Sequence, residues 1–478
     1  MNYRIIAFTL GWVLKIEAVC LLLPLLCSVI YSEPYAWVYA LCALLCMAVG
    51  FVLSFKHPKN KSMYAREGFV AVAFSWILMS IFGALPFVIS GYIPNYVDAL
   101  FETVSGFTTT GATILTDIEA LPKSLLFWRS FTHWIGGMGV LVFLVAILPL
   151  CGGKNMHLLR AESTGPSVSK LVPKVRSSAI ILYGIYTCLT LLQIILMLIG
   201  GMPLYEAITT AFGTAGTGGF AVKNSSIVGY SPYLQSVIAV FMIIFGIDFS
   251  VYYLIIMRRF KLSFRSEEVR AYLLIIVIAT LIICFDCRSL YATFSENIRH
   301  SLFQVASIIT TTGFMTKDFV QWPDLSTTIL VILMFVGACA GSTGGGMKVS
   351  RILILIKSVF KEIKIAAHPN RVHKVKLTGR FVDHEVMRSV NVFFVSFAVI
   401  YVISLLIVSL DNFGFTTNFT SVATTINNVG PGLDLVGPTQ NFSIFSPLSK
   451  IVFIFDMLVG RLEVFPMLIL FSAHTWRK

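Results

Sequence analysis

The residues of this chain that could do chemistry are hydroxyls, amides and glycines, which recur in four short strips. Strips one to four are residues 104–111, 212–219, 306–313 and 423–430. Each passes from weakly apolar residues to threonine or asparagine, ends on glycine, and lies between long apolar stretches. Backbone carbonyls at membrane depth need protein or water as partners, so such strips are typical of the lining of an aqueous path. Four strips around one axis can offer rings of carbonyls to a dehydrated cation.

The last three residues of each strip are the candidate cation ligands. Glycine permits backbone angles that turn successive carbonyls inward. Divalent cations usually need carboxylates, and no acidic residue lies inside a strip, so the pattern favours a large monovalent cation. The candidates are Thr109, Thr110 and Gly111; Thr217, Gly218 and Gly219; Thr311, Thr312 and Gly313; and Asn428, Val429 and Gly430.

Composition predicts that a polytopic membrane protein carries these strips. The chain has 478 residues, of which 57% are hydrophobic and 12% are charged, and its mean hydropathy is +0.84. The first apolar segment, 5–31, resembles a signal peptide. It is long, lacks a clear small-residue cleavage site and contains Lys15 and Glu17, so we interpret it as a retained helix.

The net charge of +13 is concentrated in alternate loops. Basic residues cluster near 56–66, 154–176 and 258–265, and the longest basic region is 357–388. The positive-inside rule then predicts cytoplasmic termini and basic loops, with the four strips on the opposite side. The basic loops suit docking of a cytosolic partner, although topology and attraction to anionic lipids alone explain most of their charge.

The strips divide the chain into repeated units. Two predicted transmembrane helices occupy 1–66, and four pore units follow at 67–178, 179–268, 269–388 and 389–478. Each unit is predicted to contain a spanning helix, a short pore helix, a strip and a second spanning helix. The expected fold is an all-α polytopic membrane protein with pseudo-fourfold symmetry around one pore.

Acidic residues lie near the predicted starts of the pore helices, and they have two interpretations. Asp98, Glu102, Glu206 and Glu296 could raise the local cation concentration at the outer mouth. They could equally cap their helices. The C-terminal ends of the pore helices would point towards the bilayer centre, where their partial negative charge favours a cation.

Two cysteines form an isolated C-x-x-C motif, Cys284 and Cys287, at the predicted end of a spanning helix. A disulfide or a metal site is one interpretation. Buried apolar thiols, like those predicted for the other cysteines, are the interpretation that we prefer.

A glycine-rich run at 341–348 interrupts an apolar stretch. It is not a phosphate-binding loop, because Met347 separates its last glycine from Lys348 and no Ser or Thr follows directly. A helix break beneath a cavity is preferred over a passive packing kink, since glycines permit an irregular backbone where water is near.

Arg461 is a single charge within the last apolar stretch. A charge at membrane depth is costly and is a functional candidate by default. The alternative is an ion pair with Glu463 or Asp456 near the inner end. A role in the pore is the interpretation that we favour.

These motifs together resemble the TrkH/TrkG-type members of the Trk/Ktr/HKT superfamily of potassium transporters. They extend over nearly the whole chain, at 106–113, 133–139, 217–220, 310–314, 341–348, 427–432 and 460–463. The resemblance implies potassium binding at the candidate ligands and, because the strips differ, modest selectivity. It also implies an intramembrane gate below them, formed by Gly341, Gly344, Gly345, Gly346, Lys348 and Arg461.

The resemblance further implies how the protein works with others. We expect a homodimer in a bacterial inner membrane, seated on a cytosolic ring of TrkA-like, nucleotide-binding regulatory subunits. Potassium is then the transported substrate, no cofactor is needed, and the protein is not an enzyme.

Two other classes of protein fit the sequence less well. A secondary transporter for an organic solute predicts intramembrane carboxylates and two inverted halves, rather than four parallel strips. A membrane enzyme or sensor needs a cluster of His, Cys or acidic residues on one face of the membrane. Transport that is coupled to sodium or permeable to it remains open.

Overall fold

The structure is a computed structural model that describes residues 1–58, 63–147, 175–263, 265–370 and 373–476. Nearly all of its regular structure is helical, because an apolar segment in lipid must satisfy its own backbone groups. Within the described residues, the one β-structure is an antiparallel hairpin of Lys376–Leu377 and Arg380–Phe381. The predicted fold class is confirmed. Of the basic loop predicted at 154–176, residues 154–174 lie outside the described residues.

Two N-terminal spans precede the pore units. The first consists of Tyr3–Cys20 and Leu22–Ile30, and the second is Ala36–Ser54. A Cβ built on Gly11 would lie 2.6 Å from the carbonyl oxygen of Gly50, so glycines allow these helices to approach closely.

Four units follow, each with a short helix before its strip. The first contains Ala65–Gly83, Leu85–Ile89, Tyr96–Phe107 and Lys123–Ile147. The second contains Val175–Ile199, Leu204–Gly216, Pro232–Phe245, Phe249–Ile256 and Phe260–Ser263. The third contains Glu267–Asp286, Phe294–Ile309, Asp324–Val336 and Val349–Ala367. The fourth contains His384–Val408, Phe415–Ile426, Pro447–Arg461, Phe465–Phe471 and Ala473–Trp476. Single 3₁₀ turns are Phe319–Gln321, Ser409–Asp411, Asp434–Val436 and Phe442–Ile444.

The pore helices are too short to cross a membrane. They contain 12, 13, 16 and 12 residues. At about 1.5 Å per residue, none spans a hydrocarbon core of about 30 Å. Each therefore ends inside the protein, within its strip.

The second spanning segments of units two to four are broken, whereas the sequence predicted one spanning helix at this place in each unit. Pro232–Phe245 and Phe249–Ile256 meet at 91°. Asp248 caps the second of these helices by accepting from the Ser250 N–H at 2.8 Å. In the described residues, six helices are long and apolar enough to span a membrane, or seven if this bent pair counts as one.

Cys284 and Cys287 are free thiols, so the disulfide interpretation is wrong. The Cys287 Sγ lies 3.5 Å from the Ser326 hydroxyl. No group of three potential metal ligands occurs among the described residues.

Candidate ion path

The four strips share one backbone geometry. Thr109, Thr217, Thr311 and Asn428 have left-handed φ angles of 56°, 57°, 58° and 56°. The residue after each of them donates its N–H to the carbonyl five positions earlier, at 2.8 to 2.9 Å, which is the Schellman ending of a helix. The glycines that close the strips are again left-handed, with φ between 74° and 99°. Strips with unlike sequences therefore place equivalent carbonyls in equivalent positions.

The closing glycines join the strips into a ring. A Cβ built on Gly111 would lie within 3.0 Å of the Gly218 carbonyl oxygen, and one on Gly219 within 3.0 Å of the Thr312 oxygen. Likewise, a Cβ on Gly313 would lie 2.5 Å from the Val429 oxygen, and one on Gly430 would lie 2.7 Å from the Thr110 oxygen. The contacts run from strip one to two, three and four and return to one. The four strips therefore surround a single axis.

Several side chains of the strips bond to one another. The hydroxyls of Thr108 and Thr110 lie 2.8 Å apart, and those of Thr310 and Thr312 lie 2.7 Å apart. Asn428 donates from Nδ2 to the Thr110 hydroxyl at 3.0 Å, which ties strip four to strip one. These bonds hold the strips in place and leave backbone carbonyls as the groups best suited to meet an ion.

The glycine-rich loop, residues 337–348, lies directly against strips three and four; we refer to this side as below the strips. The Gly345 N–H donates to the Thr311 hydroxyl at 2.6 Å, and the Gly346 N–H donates to the Asn427 carbonyl at 3.0 Å. A Cβ on Gly345 would lie 2.5 Å from that Asn427 oxygen. Glycine is needed here because the loop backbone packs against the strip backbone.

Arg461 holds this loop from below. Its Nη1 donates to the Thr343 carbonyl at 2.7 Å, and its Nη2 donates to the Gly136 carbonyl at 2.6 Å. The guanidinium thus joins the loop to Lys123–Ile147, the second spanning helix of unit one. The acids considered as alternative partners bind other groups: Glu463 accepts from Arg351, and Asp456 accepts from the Ser404 hydroxyl at 2.7 Å.

Two further charged residues hold the ends of the loop. Lys348, at a left-handed φ of 75°, donates from Nζ to the Gly344 carbonyl. Glu268 accepts from the N–H groups of Ala340 and Ser350, at 2.6 and 3.1 Å, and so joins the two ends of the loop. Sequence reasoning missed Glu268, because it lies in the first turn of a spanning helix, where an acid is ordinary.

Two of the acids near the starts of the pore helices, Asp98 and Glu206, form ion pairs with lysines. Asp98 accepts from Lys450 at 2.6 Å, and Glu296 lies 3.8 Å from His300. Glu206 accepts from Lys223 at 3.0 Å and from the Tyr230 hydroxyl at 2.6 Å. Burial raises the pKa of Tyr230, and this bond to a carboxylate raises it further, so the hydroxyl stays a donor.

Glu102 differs from the outer-mouth position that the sequence suggested. Its side chain is fully buried and accepts from Nε of Arg129 at 2.6 Å. It lies beyond the first turn of its helix, so its carboxylate faces the neighbouring helix instead of capping. Arg129 escaped sequence reasoning, although a single arginine within an apolar helix is the signal that identified Arg461.

Comparison with known proteins extends these observations over the whole chain. The family profile TrkH, described as a cation transport protein, matches residues 38–478. The Trk system potassium uptake protein TrkH of Salmonella typhimurium is 36% identical, with 100% of both chains covered. TrkG of Escherichia coli, also a Trk system potassium uptake protein, is 33% identical over 100% of this chain and 99% of its own. The crystal structure of the potassium transporter TrkH from Vibrio parahaemolyticus superposes with a TM-score of 0.89 at 31% identity, covering 100% of each chain.

Proposed function

This chain belongs to the TrkH family of cation transport proteins, and on that premise we propose that it takes up potassium through a channel-like pore. Relatives of full length are transport proteins rather than enzymes. The observation that carries the proposal is the closed ring of four strips, in which equivalent carbonyls surround one axis. Carbonyls in such a ring can replace the hydration shell of a cation.

Potassium is the substrate that the chemistry of the strips favours. The ligands would be the last three residues of each strip, which are neutral. A monovalent ion loses its hydration shell more easily than a divalent one, for which carboxylates are the usual ligands. Relatives at 36% and 33% identity are named as potassium uptake proteins.

The gate in this proposal is the glycine-rich loop together with Arg461. Gly345 and Gly346 bond to strips three and four, so an ion leaving the ring meets the loop first. Arg461 places a positive charge beneath Thr343, which opposes the passage of a cation. The loop would have to move, and its bond to Arg461 to break, before ions pass freely.

The partner in this proposal is a TrkA-like, nucleotide-binding subunit on the cytosolic side, acting on a homodimer in the bacterial inner membrane. Both termini would then be cytoplasmic. Support comes from the basic region 357–388, where Lys357 pairs with Glu267 and donates to the Lys376 carbonyl in the β-hairpin. The glycine-rich loop continues directly into the helix Val349–Ala367, which contains Lys357. This helix would give such a partner a mechanical connection to the pore.

The decisive experiment is rubidium-86 uptake into liposomes that contain purified protein, with potassium or sodium as competitor. We expect potassium to compete better than sodium, with the modest preference that four unlike strips imply. Gly111→Ser should weaken that preference, because its Cβ would clash with the Gly218 carbonyl. Gly91→Ser is a matched control, since Gly91 has a similar φ of 81° but open space around it.

Two results would contradict the proposal. Equal competition by sodium and potassium in the wild type would refute potassium selectivity. A Gly111→Ser protein that is folded and has unchanged competition would remove the pore from these strips. If the wild type takes up no rubidium, Arg461→Ala distinguishes a closed gate, which it should open, from a wrong assignment of the path.

A further inference from the structure

A buried ion pair lies behind the first two strips. Arg129, on Lys123–Ile147, donates from Nε to Glu102 Oε1 on the first pore helix at 2.6 Å. The two side chains are 2% and 0% exposed. Burying both charges is costly unless their remaining hydrogen-bonding groups also find partners. Those remaining partners indicate what the pair does.

Glu102 holds the chain that leaves strip one. It accepts from the Thr113 hydroxyl at 2.9 Å and from the Ile114 N–H at 3.0 Å. Thr113 and Ile114 follow Gly111 closely, above the ring. The carboxylate therefore sets where strip one ends.

Arg129 holds the chain that leaves strip two. Its Nη1 donates to the Ala221 carbonyl at 3.0 Å, and its Cζ lies 3.5 Å from the centroid of the Phe220 ring. The ring of His133, one turn later, lies tilted against the Phe220 ring with 4.1 Å between the ring centroids, and its Nε2 accepts from the Phe220 N–H at 3.2 Å. Because its Nε2 accepts, its Nδ1 carries the hydrogen and donates to the Gly106 carbonyl at 2.7 Å. Strip two is thus fixed to the first pore helix.

This arrangement belongs to unit one alone. Glu102 lies seven positions before Thr109, the left-handed residue of strip one. The residues at the same distance before the left-handed residues of the other strips are Thr210, Gln304 and Ser421. Gln304 bonds to the Lys317 carbonyl at 3.0 Å, within its own unit. The pore helix of unit one therefore has a carboxylate where the other three pore helices have a neutral side chain.

We propose that Glu102 and Arg129 are positioning residues that set the spacing between strips one and two, and with it the discrimination between potassium and sodium. This inference rests on the proposed ion path. Charge-assisted hydrogen bonds are shorter and stronger than neutral ones, so the pair holds both strip ends firmly. A ring that cannot contract around the smaller ion gives that ion poor compensation for its lost water.

The test measures the concentrations of sodium and of potassium that halve rubidium-86 uptake into liposomes. Their ratio does not depend on the amount of active protein. Arg129→Lys keeps the charge beside Glu102 but loses the planar fork that reaches Ala221 and stacks on Phe220. We expect the sodium-to-potassium ratio to fall about tenfold, the change that corresponds to one lost charged hydrogen bond. Glu102→Gln, which removes one charge at nearly constant shape, should lower it similarly.

The matched control is Arg351→Lys, at the Arg–Glu pair that Arg351 forms with Glu463, where Arg351 also donates to the Met347 carbonyl of the glycine-rich loop. Its competition ratio should equal that of the wild type, whatever its transport rate. Wild-type ratios in Arg129→Lys and Glu102→Gln, even with reduced yield, would overturn the inference and leave the pair a purely structural role. If Arg129→Lys cannot be purified, Glu102→Gln decides alone. A wild type without ion preference would instead refute the ion path itself.

Discussion

Replacing Arg461 by alanine should raise the rate of cation flux. In the structure its guanidinium donates to carbonyls of Thr343, in the loop, and of Gly136, in a neighbouring helix. Opening the loop must break at least the bond to Thr343, and a hydrogen bond to a charged group contributes about 1.5–3 kcal/mol. Because about 1.4 kcal/mol is a factor of ten, the ratio of open to closed loops should rise about ten- to a hundredfold.

The assay is the initial rate of rubidium-86 uptake, normalised to monodisperse protein recovered from the liposomes. The rate should rise in proportion to the open fraction for as long as the closed state dominates. Unchanged or lower uptake in a folded Arg461→Ala protein would refute this reasoning.

Two further substitutions separate the bond from the charge. Arg461→Lys keeps the positive charge but can reach only one of the carbonyls of Thr343 and Gly136. Arg461→Gln keeps a donor without charge. If repulsion of the ion dominates, the lysine variant should stay slow and the glutamine variant should be fast. If the tie to the loop dominates, both should lie between wild type and alanine.

Other perturbations test the loop and the N-terminal helices. Gly345→Ala should raise basal uptake several-fold in the same liposome assay, because its Cβ would lie 2.5 Å from the Asn427 carbonyl oxygen and push the loop away from strip four. A wild-type rate would show that the loop does not obstruct the path. Glu268→Gln should also raise uptake, by about tenfold, because the amide that replaces the carboxylate accepts more weakly from the N–H groups of Ala340 and Ser350. Slower uptake would contradict this. Gly11→Ala should destabilise the protein by about 1–3 kcal/mol, because the added methyl group overpacks against Gly50. The melting temperature in detergent should fall, and ion competition should not change. An unaltered melting temperature would contradict the close contact between these helices.

The family and the fold class followed from local features of the sequence. Long uncharged apolar stretches indicate spans wherever they occur, and a closing glycine marks each strip whatever surrounds it. Strips as different as 212–219 and 423–430 still align, because the left-handed turn depends on the backbone near one residue. The sequence comparisons confirm the family that these motifs indicated.

The bends of the second spanning segments were not predictable in the same way. The stretch 233–257 contains one charged residue, Asp248, and its hydropathy does not predict a turn of 91° there. The bend is stabilised by the loop of another unit, since the Cys339 N–H donates to the Gly246 carbonyl at 3.1 Å. Hydropathy has no information about such partners.

The sequence by itself therefore determined which segments enter the membrane, where the four strips lie and which residue types they present, because these depend on composition and on backbone freedom within a few residues. Only the tertiary structure decided the order in which the strips close, the partner of Glu102 and the carbonyls that Arg461 binds. Those contacts join residues as far apart as Gly136 and Arg461, 325 positions along the chain. Such pairs form only when all four units pack around one axis, so no local pattern records them.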